Sequence, residues 1–249
     1  GYTSSLSVRG IATVLDGIPM NTLRTGSALY EVRGFTVASL DRIEMLRGPG
    51  SALYGSDAFH GVLSMKTYQS DKDNTSLNFD VTNEGFKQAN LNFTKISDNG
   101  VSINASVTTL DQSSQNIPYT FTIPFSTTEV TSDRANSYDA YMGLFKVGVN
   151  HSDTFNTSYG VYFKGHDSVE SVSGGQSQSP FGSIFGNKDI TDGADDLYAL
   201  KASFEKKFGD EITFEGKAFH WNSQVENYTD TGPVTQPNPV GSQNNAEES

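Results

Sequence analysis

The chain has 249 residues, 17 Lys and Arg against 29 Asp and Glu, 28 aromatics (1 Trp, 11 Tyr, 16 Phe) and no cysteine. A formal charge of −12 argues against a grip on nucleic-acid phosphates, which depends on Lys and Arg, and zero cysteines exclude disulfide scaffolds, thiolate metal sites and thiol nucleophiles. No apolar run approaches the roughly 18 to 20 residues of a spanning helix, so any membrane crossing is made by strands.

The charge divides the chain. Residues 1–68 hold six cations and five anions, and subtraction from 17 and 29 leaves 11 cations and 24 anions for residues 69–249. A near-neutral, Gly-rich head thus precedes an acidic body. Within the head, Val14-Leu15, Ile43 to Leu46 and Val62 to Met65 read as short apolar strands, and Asp16-Gly17 and Arg47-Gly48-Pro49-Gly50 as turns. Ser51 to Tyr54 reads as one helical turn stopped by Gly55, which makes the head a small mixed α/β unit.

From residue 75 the sequence alternates with period two, the mark of strands with two different faces. Leu77, Phe79 and Val81 interleave with Asn78, Asp80 and Thr82; Ala89, Leu91 and Phe93 with Asn90, Asn92 and Thr94; Val101, Ile103, Ala105 and Val107 with Ser102, Asn104, Ser106 and Thr108. Four further strands are predicted near 136–150, 154–167, 195–207 and 211–225, for seven in all. In the first of these, Met142 and Leu144 fall out of phase with Phe145, Val147 and Val149, which calls for a bulge or an apolar contact on the inner face.

Connections at Ser97–Gly100, His151–Asp153 and Phe208–Asp210 are tight and rich in Asp, Asn and Gly. Between them lie polar segments near 111–135 and 168–194 that read as long loops, and another begins near 226. Tight turns at one end and long loops at the other belong to outer-membrane barrels, with Asn83–Gly85 as a stunted first outer loop. A soluble β-sandwich is the competing architecture. Strands of about 10 to 15 residues exceed the usual five or six, and the non-apolar face is Asn, Ser, Thr and Gly, as expected for a wet lumen. Seven strands do not close around a 68-residue head, so the expected body is the first part of a larger barrel.

The order RG (Arg9-Gly10), VLDGIP (Val14 to Pro19) and DRIEMLRGPGSALYGSDAFHGVLSMKT (Asp41 to Thr67), followed at once by alternating strands, resembles the plug and first barrel strands of TonB-dependent outer-membrane receptors. His60 stands where the family commonly has a small residue, and LSMKT replaces a more aliphatic strand. The resemblance implies a plug over 1–68 and the start of a barrel of about 22 strands over 69–249, lying in the outer membrane of a Gram-negative bacterium with the long loops outside. It implies uptake of a scarce nutrient, a metal chelate of siderophore, haem or cobalamin type, powered by TonB through a segment upstream of Gly1. A plugged receptor that senses or adheres without transport is the alternative. Outer-membrane lipid is the implied surround, and neither a cofactor nor a nucleic-acid partner is implied.

By the same resemblance Arg9 and Arg47 match plug arginines that pair with carboxylates on the barrel wall. Local turn bonds are the competing role, and Glu44 has both Arg42 and Arg47 within reach. Thr22 to Thr36 falls where the family places an apical loop, which makes Arg24, Tyr30 and Arg33 the substrate-contact candidates; an ordinary solvated loop is the alternative. Gly50 to Gly55 lacks the Lys and Ser or Thr of a phosphate loop. The four histidines show no paired metal spacing. Asp189, Asp192, Asp195 and Asp196 form an acidic group without EF-hand spacing, read as a solvated loop. No Ser, His and Asp set has the context of a nucleophile elbow, so the reading is not an enzyme.

Overall fold

A computed structural model describes residues 10–22, 26–28, 35–50, 54–55, 58–122, 129–173, 188–209, 211–230 and 241–248; within these, side chains are described outside 114–122, 129–136, 170–173, 188–192, 227–230 and 241–248. The head forms one four-stranded sheet: β1 (Ile11–Leu15), β2 (Ile18–Pro19), β3 (Leu40–Arg47) and β4 (Gly61–Thr67), in the order β2-β1-β4-β3. β1 runs parallel to β4, from Ile11 opposite Gly61 to Leu15 opposite Met65, whereas β3 pairs antiparallel with β4 through a bulge near Leu40. β4 lies between two strands and is mostly buried, while β3 at the edge is exposed along nearly its whole length.

The helical part of the expected mixed α/β head is smaller than its composition suggests. Among the described residues it consists of a 3-10 turn at Val37–Ser39 and two isolated i to i−4 bonds, from the Tyr54 N–H to the Gly50 carbonyl at 3.0 Å and from the Gly26 N–H to the Thr22 carbonyl at 2.9 Å. Residues 51–53 lie outside the described set.

The body is one antiparallel meander of eight strands: β5 (Asn74–Val81), β6 (Phe86–Ile96), β7 (Val101–Thr122), β8 (Glu129–Ser152), β9 (Phe155–Ser173), β10 (Lys188–Phe208), β11 (Ile212–Asp230) and β12 (Gly241–Glu248). Three differences from the sequence reading stand out. An eighth strand, β12, pairs with β11 from Asp230 opposite Gly241 to Ser223 opposite Glu248; its Gly, Ser, Asn and Glu give no apolar alternation to detect. β7 to β11 are 19 to 24 residues long, so strand takes up most of 111–135 and both flanks of 168–194, at 168–173 and 188–194. These extensions are polar, which is why they read as loops. Backbone pairing still satisfies the peptide groups there, on both sides in β10 and β11 and on one side at the far end of β7.

Met142 and Leu144 are explained by the inward contact: they are 1% and 2% exposed, and no register shift occurs beside them. On the opposite face Tyr141, Phe145, Tyr159, Val161, Phe163, Tyr198 and Leu200 point away from the head and are exposed. Three glycines on that outer face lie beneath aromatic rings of the directly paired residue: Gly143 under Phe163, Gly165 under Tyr141 and Gly216 under Phe204. A Cβ at any of them would collide with the ring.

Candidate functional site

The inner face of the wall carries two kinds of side chain, and each meets a different part of the head. On β6 and β7, Asn90, Asn92, Thr94, Asn104, Ser106 and Thr108 are all buried. They are not wetted as the sequence suggested; they bond to one another and to the head. The Asn90 amide donates to the Thr108 hydroxyl at 2.7 Å, Asn92 to the Asn90 carbonyl oxygen at 2.7 Å, and Ser106 to the Asn92 carbonyl oxygen at 2.6 Å. Thr108 then shares a hydrogen bond with Ser39 of the 3-10 turn, which in turn bonds Thr36 at 3.0 Å. Neutral donors and acceptors buried together must satisfy each other, since an unmade bond costs about 1 to 3 kcal/mol.

From β8 onward part of the contact is apolar. Leu15, Ile18, Met20, Ala28 and Met65 of the head form one cluster with Met142, Leu144, Tyr162, Leu197 and Ala199 of the wall, flanked by Phe35 and the chain's single Trp, Trp221.

At the edge of this cluster the β1–β2 turn meets a group of charges. β1 ends at Leu15 and β2 starts at Ile18, leaving Asp16-Gly17 as a two-residue hairpin with φ of 47° and 88°. Positive φ at both positions marks a primed turn, which Asp tolerates and Gly favours. The Asp16 carboxylate accepts from the Thr67 N–H at 3.0 Å and from the Thr67 hydroxyl. It also accepts from the Tyr162 hydroxyl at 3.0 Å and lies 3.5 Å from Lys146 Nζ. Lys146 donates as well to the Thr67 hydroxyl at 3.0 Å. Lys201 donates to the Asp16 backbone carbonyl at 2.6 Å and Lys217 to that of Gly17 at 2.9 Å. Gly160 leaves room for this: a Cβ there would stand 2.7 Å from the Tyr162 hydroxyl. Cavities of about 300, 540 and 550 Å³ open around Asp16.

A second buried charge group lies farther along the same strands. Asp195 on β10 binds Lys164 and His166 of β9, its distance to His166 Nδ1 being 2.6 Å. The Tyr138 ring covers His166 at 4.5 Å, and Lys164 Nζ sits 5.9 Å from the Phe35 ring of the head. The acidic group expected in a loop is therefore on a strand. Asp195 faces inward and is 2% exposed, while Asp196 faces outward and accepts from the Tyr141 hydroxyl at 3.2 Å, so alternation places the two on opposite faces. Among the described residues no group of three or more His, Asp or Glu is placed to hold a metal ion.

Of the residues singled out from sequence, Arg9, Arg24, Tyr30 and Arg33 lie outside the described residues. The chain leading into that segment is tied down, with the Asn21 side chain accepting from Thr13 N–H at 2.7 Å and donating to the Ile11 and Gly26 carbonyls. Arg47 closes β3 opposite Gly61 and is exposed, and among the described residues no carboxylate pairs with it. Glu44 pairs with Arg42 at 2.7 Å, and that hydrogen bond holds its carboxyl below the ordinary glutamate range. Sequence reasoning took Asp16 as a turn residue and passed over Lys146, Lys201 and Lys217. The signal was present: Lys146 follows Met142 and Leu144, and Lys201 follows Leu197 and Ala199, each in the inward phase of its strand.

Residues 1–62 match the family model of the TonB-dependent receptor plug domain. Over 106 residues the chain is 30% identical to the vitamin B12 transporter BtuB of Vibrio vulnificus (strain CMCP6), an alignment that covers 40% of this chain and 17% of the relative. The fold is similar to the ferric enterobactin receptor PfeA of Pseudomonas aeruginosa, solved as a mutant, with a TM-score of 0.56 at 11% identity over 96% of this chain and 37% of that one. It is also similar to BauA, the ferric preacinetobactin receptor of Acinetobacter baumannii, with a TM-score of 0.52 at 12% identity over 92% of this chain and 43% of that one. The chain thus spans less than half the length of each of these three proteins. Residues 1–62 therefore belong to the TonB-dependent receptor plug family, and the head with its meander has the fold of these receptors.

Proposed function

We propose that the chain acts in TonB-dependent uptake of a scarce nutrient, a metal chelate of siderophore, haem or cobalamin type, across the outer membrane of a Gram-negative bacterium. Residues 1–68 serve as the plug and 69–249 as barrel wall. The observation that carries this reading is the seating of the head sheet on the inner face of the wall through Asp16-Gly17 and the Leu15, Ile18 and Met142 cluster. A head that only capped the wall would have no use for such a seat. Support also comes from a relative that is a vitamin B12 transporter and from two solved structures that are receptors for ferric enterobactin and ferric preacinetobactin.

In this reading the ends of the wall near 83–85, 123–128, 174–187 and 231–240 are extracellular and the tight turns near 97–100, 153–154 and 209–211 periplasmic. Arg24, Tyr30 and Arg33 contact the ligand, because Arg holds anionic groups and Tyr offers both a ring face and a hydroxyl. Arg9 and Arg47 pair with carboxylates on the barrel wall, and TonB engages a segment upstream of Gly1. The test compares equilibrium binding of labelled ferric siderophores or cobalamin with energised uptake in cells carrying the full-length receptor. Arg33→Ala weakens binding, with uptake falling in proportion, whereas Arg47→Ala lowers uptake more than binding. Binding without energy-dependent uptake in the unmodified receptor would instead support a sensor or adhesin.

A further inference from the structure

Four successive wall strands each send one side chain to the same two-residue turn or its immediate neighbour: Lys146 from β8, Tyr162 from β9, Lys201 from β10 and Lys217 from β11. We propose that Asp16-Gly17 is a polar catch that keeps the plug seated and the channel shut, with Asp16 as its releasable positioning residue. As a catch for a transport channel, it rests on the uptake reading above; as a device that keeps a plug seated, it does not.

Two features separate this contact from ordinary packing. First, Asp16 is the head carboxylate that pairs with Lys146 at 3.5 Å, while Lys201 and Lys217 hold the carbonyls of the same turn and Asp41 and Lys66 of the head line the adjoining cavity, so neutralising Asp16 removes the ion pair between head and wall at this turn. Second, the remaining grips fall on the backbone carbonyls of Asp16 and Gly17 and depend on the primed turn. All the contacts converge within two residues and Thr67, so a displacement of the turn by one hydrogen-bond length breaks them together. Asp16 and Lys146 are 10% and 14% exposed, shielded enough for the pair to matter yet beside cavities lined by Asp16 itself.

The design of the test follows from the turn geometry. Asn tolerates positive φ as Asp does, so Asp16→Asn keeps the hairpin and both carbonyl grips while removing the charge. Purified full-length receptor is inserted into planar bilayers without TonB or ligand, and spontaneous openings are counted. Asp16→Asn and Lys146→Met are each expected to raise opening frequency by about tenfold, the scale of a lost hydrogen bond to a charged group. The double variant is expected to open no more often than the stronger single, since both remove one contact. Lys87→Met, on the exposed pair with Asp111 far from the turn, serves as the control and stays shut. Affinity for labelled ligand on cells is expected to hold in every variant. Heat-modifiable gel migration establishes that each receptor is folded; should Asp16→Asn fail there, Lys146→Met alone decides. Folded variants that stay as closed as the unmodified receptor would overturn the catch. Openings that rise as expected in a receptor showing no energised uptake would leave the catch standing and refute the transport reading.

Discussion

The head sheet has two edges made of much the same residues and placed in opposite surroundings. At the β1–β2 edge Leu15 and Ile18 are fully buried against the wall. At the β3 edge Ile43, Met45 and Leu46 are 52%, 66% and 47% exposed, and Arg42 finds its carboxylates, Asp41 and Glu44, on its own strand. Among the described residues, apolar content is alike at the two edges, and the edge that meets β8 to β11 is the one carrying Asp16-Gly17, whose carboxylate and two backbone carbonyls all bond to the wall.

The strongest way to break this contrast is to remove methylenes from both edges. Leu15→Ala leaves a cavity in a cluster shared by two sheets and is expected to cost about 2 to 5 kcal/mol, whereas Met45→Ala leaves that cluster intact and is expected to cost less. Hydrogen exchange of the β1 and β4 amides in the detergent-solubilised receptor measures both. Equal losses would mean that β3 is seated as firmly as β1.

A smaller effect asks whether the wall itself holds the seat in position. Gly143 lies on the outer face between Met142 and Leu144, which face the plug, and Phe163 covers it. Gly143→Val forces that ring aside and is expected to cost about 1 to 3 kcal/mol, in line with other overpacked sites. The readout is the temperature midpoint of heat-modifiable migration. An unchanged midpoint would show that β8 and β9 give way without loss.

The smallest effect belongs to the exposed edge. Arg42 donates to Glu44 and depresses its pKa, so this pair contributes only above the ordinary glutamate value and the contribution is lost as pH falls through the depressed one. Because the pair is in water, melting is expected to be flat between about pH 5 and 8, where both folded and unfolded Glu44 are ionised. In a carboxyl NMR titration Glu44 should titrate below its ordinary value, and Arg42→Gln should move it back up. A Glu44 that titrates normally in the unmodified receptor would remove the pair.

Much of this architecture was legible because alternation survives wherever the two faces of a strand differ. Leu77 to Val81, Leu91 to Phe93 and Val101 to Val107 show it plainly. It fails in two places for opposite reasons. In β12 and the far ends of β7 to β10 both faces are polar, so pairing leaves no apolar trace. In β8 both faces are apolar where Met142 and Leu144 meet the plug while Tyr141 and Phe145 point outward, so the phase blurs. The seat was hidden for a third reason. Asp16 announces a turn, and only the folded pairing shows that Lys146, Lys201 and Lys217, some 130 to 200 residues onward, point at it.

The rings laid over Gly143 and Gly165 cross the same strand pair in both directions, Phe163 from β9 onto β8 and Tyr141 from β8 onto β9. A slip of one residue between these strands would set each ring against a side chain instead of a bare Cα, and would turn every inward group outward. Two glycines and two aromatics therefore act as a mechanical key for strand alignment during assembly. Substituting both glycines would be felt first as misaligned chains that never mature, before any change in the mature receptor. Such a key matters most here, because Lys146 and Tyr162 reach Asp16 only if β8 and β9 are aligned to the residue.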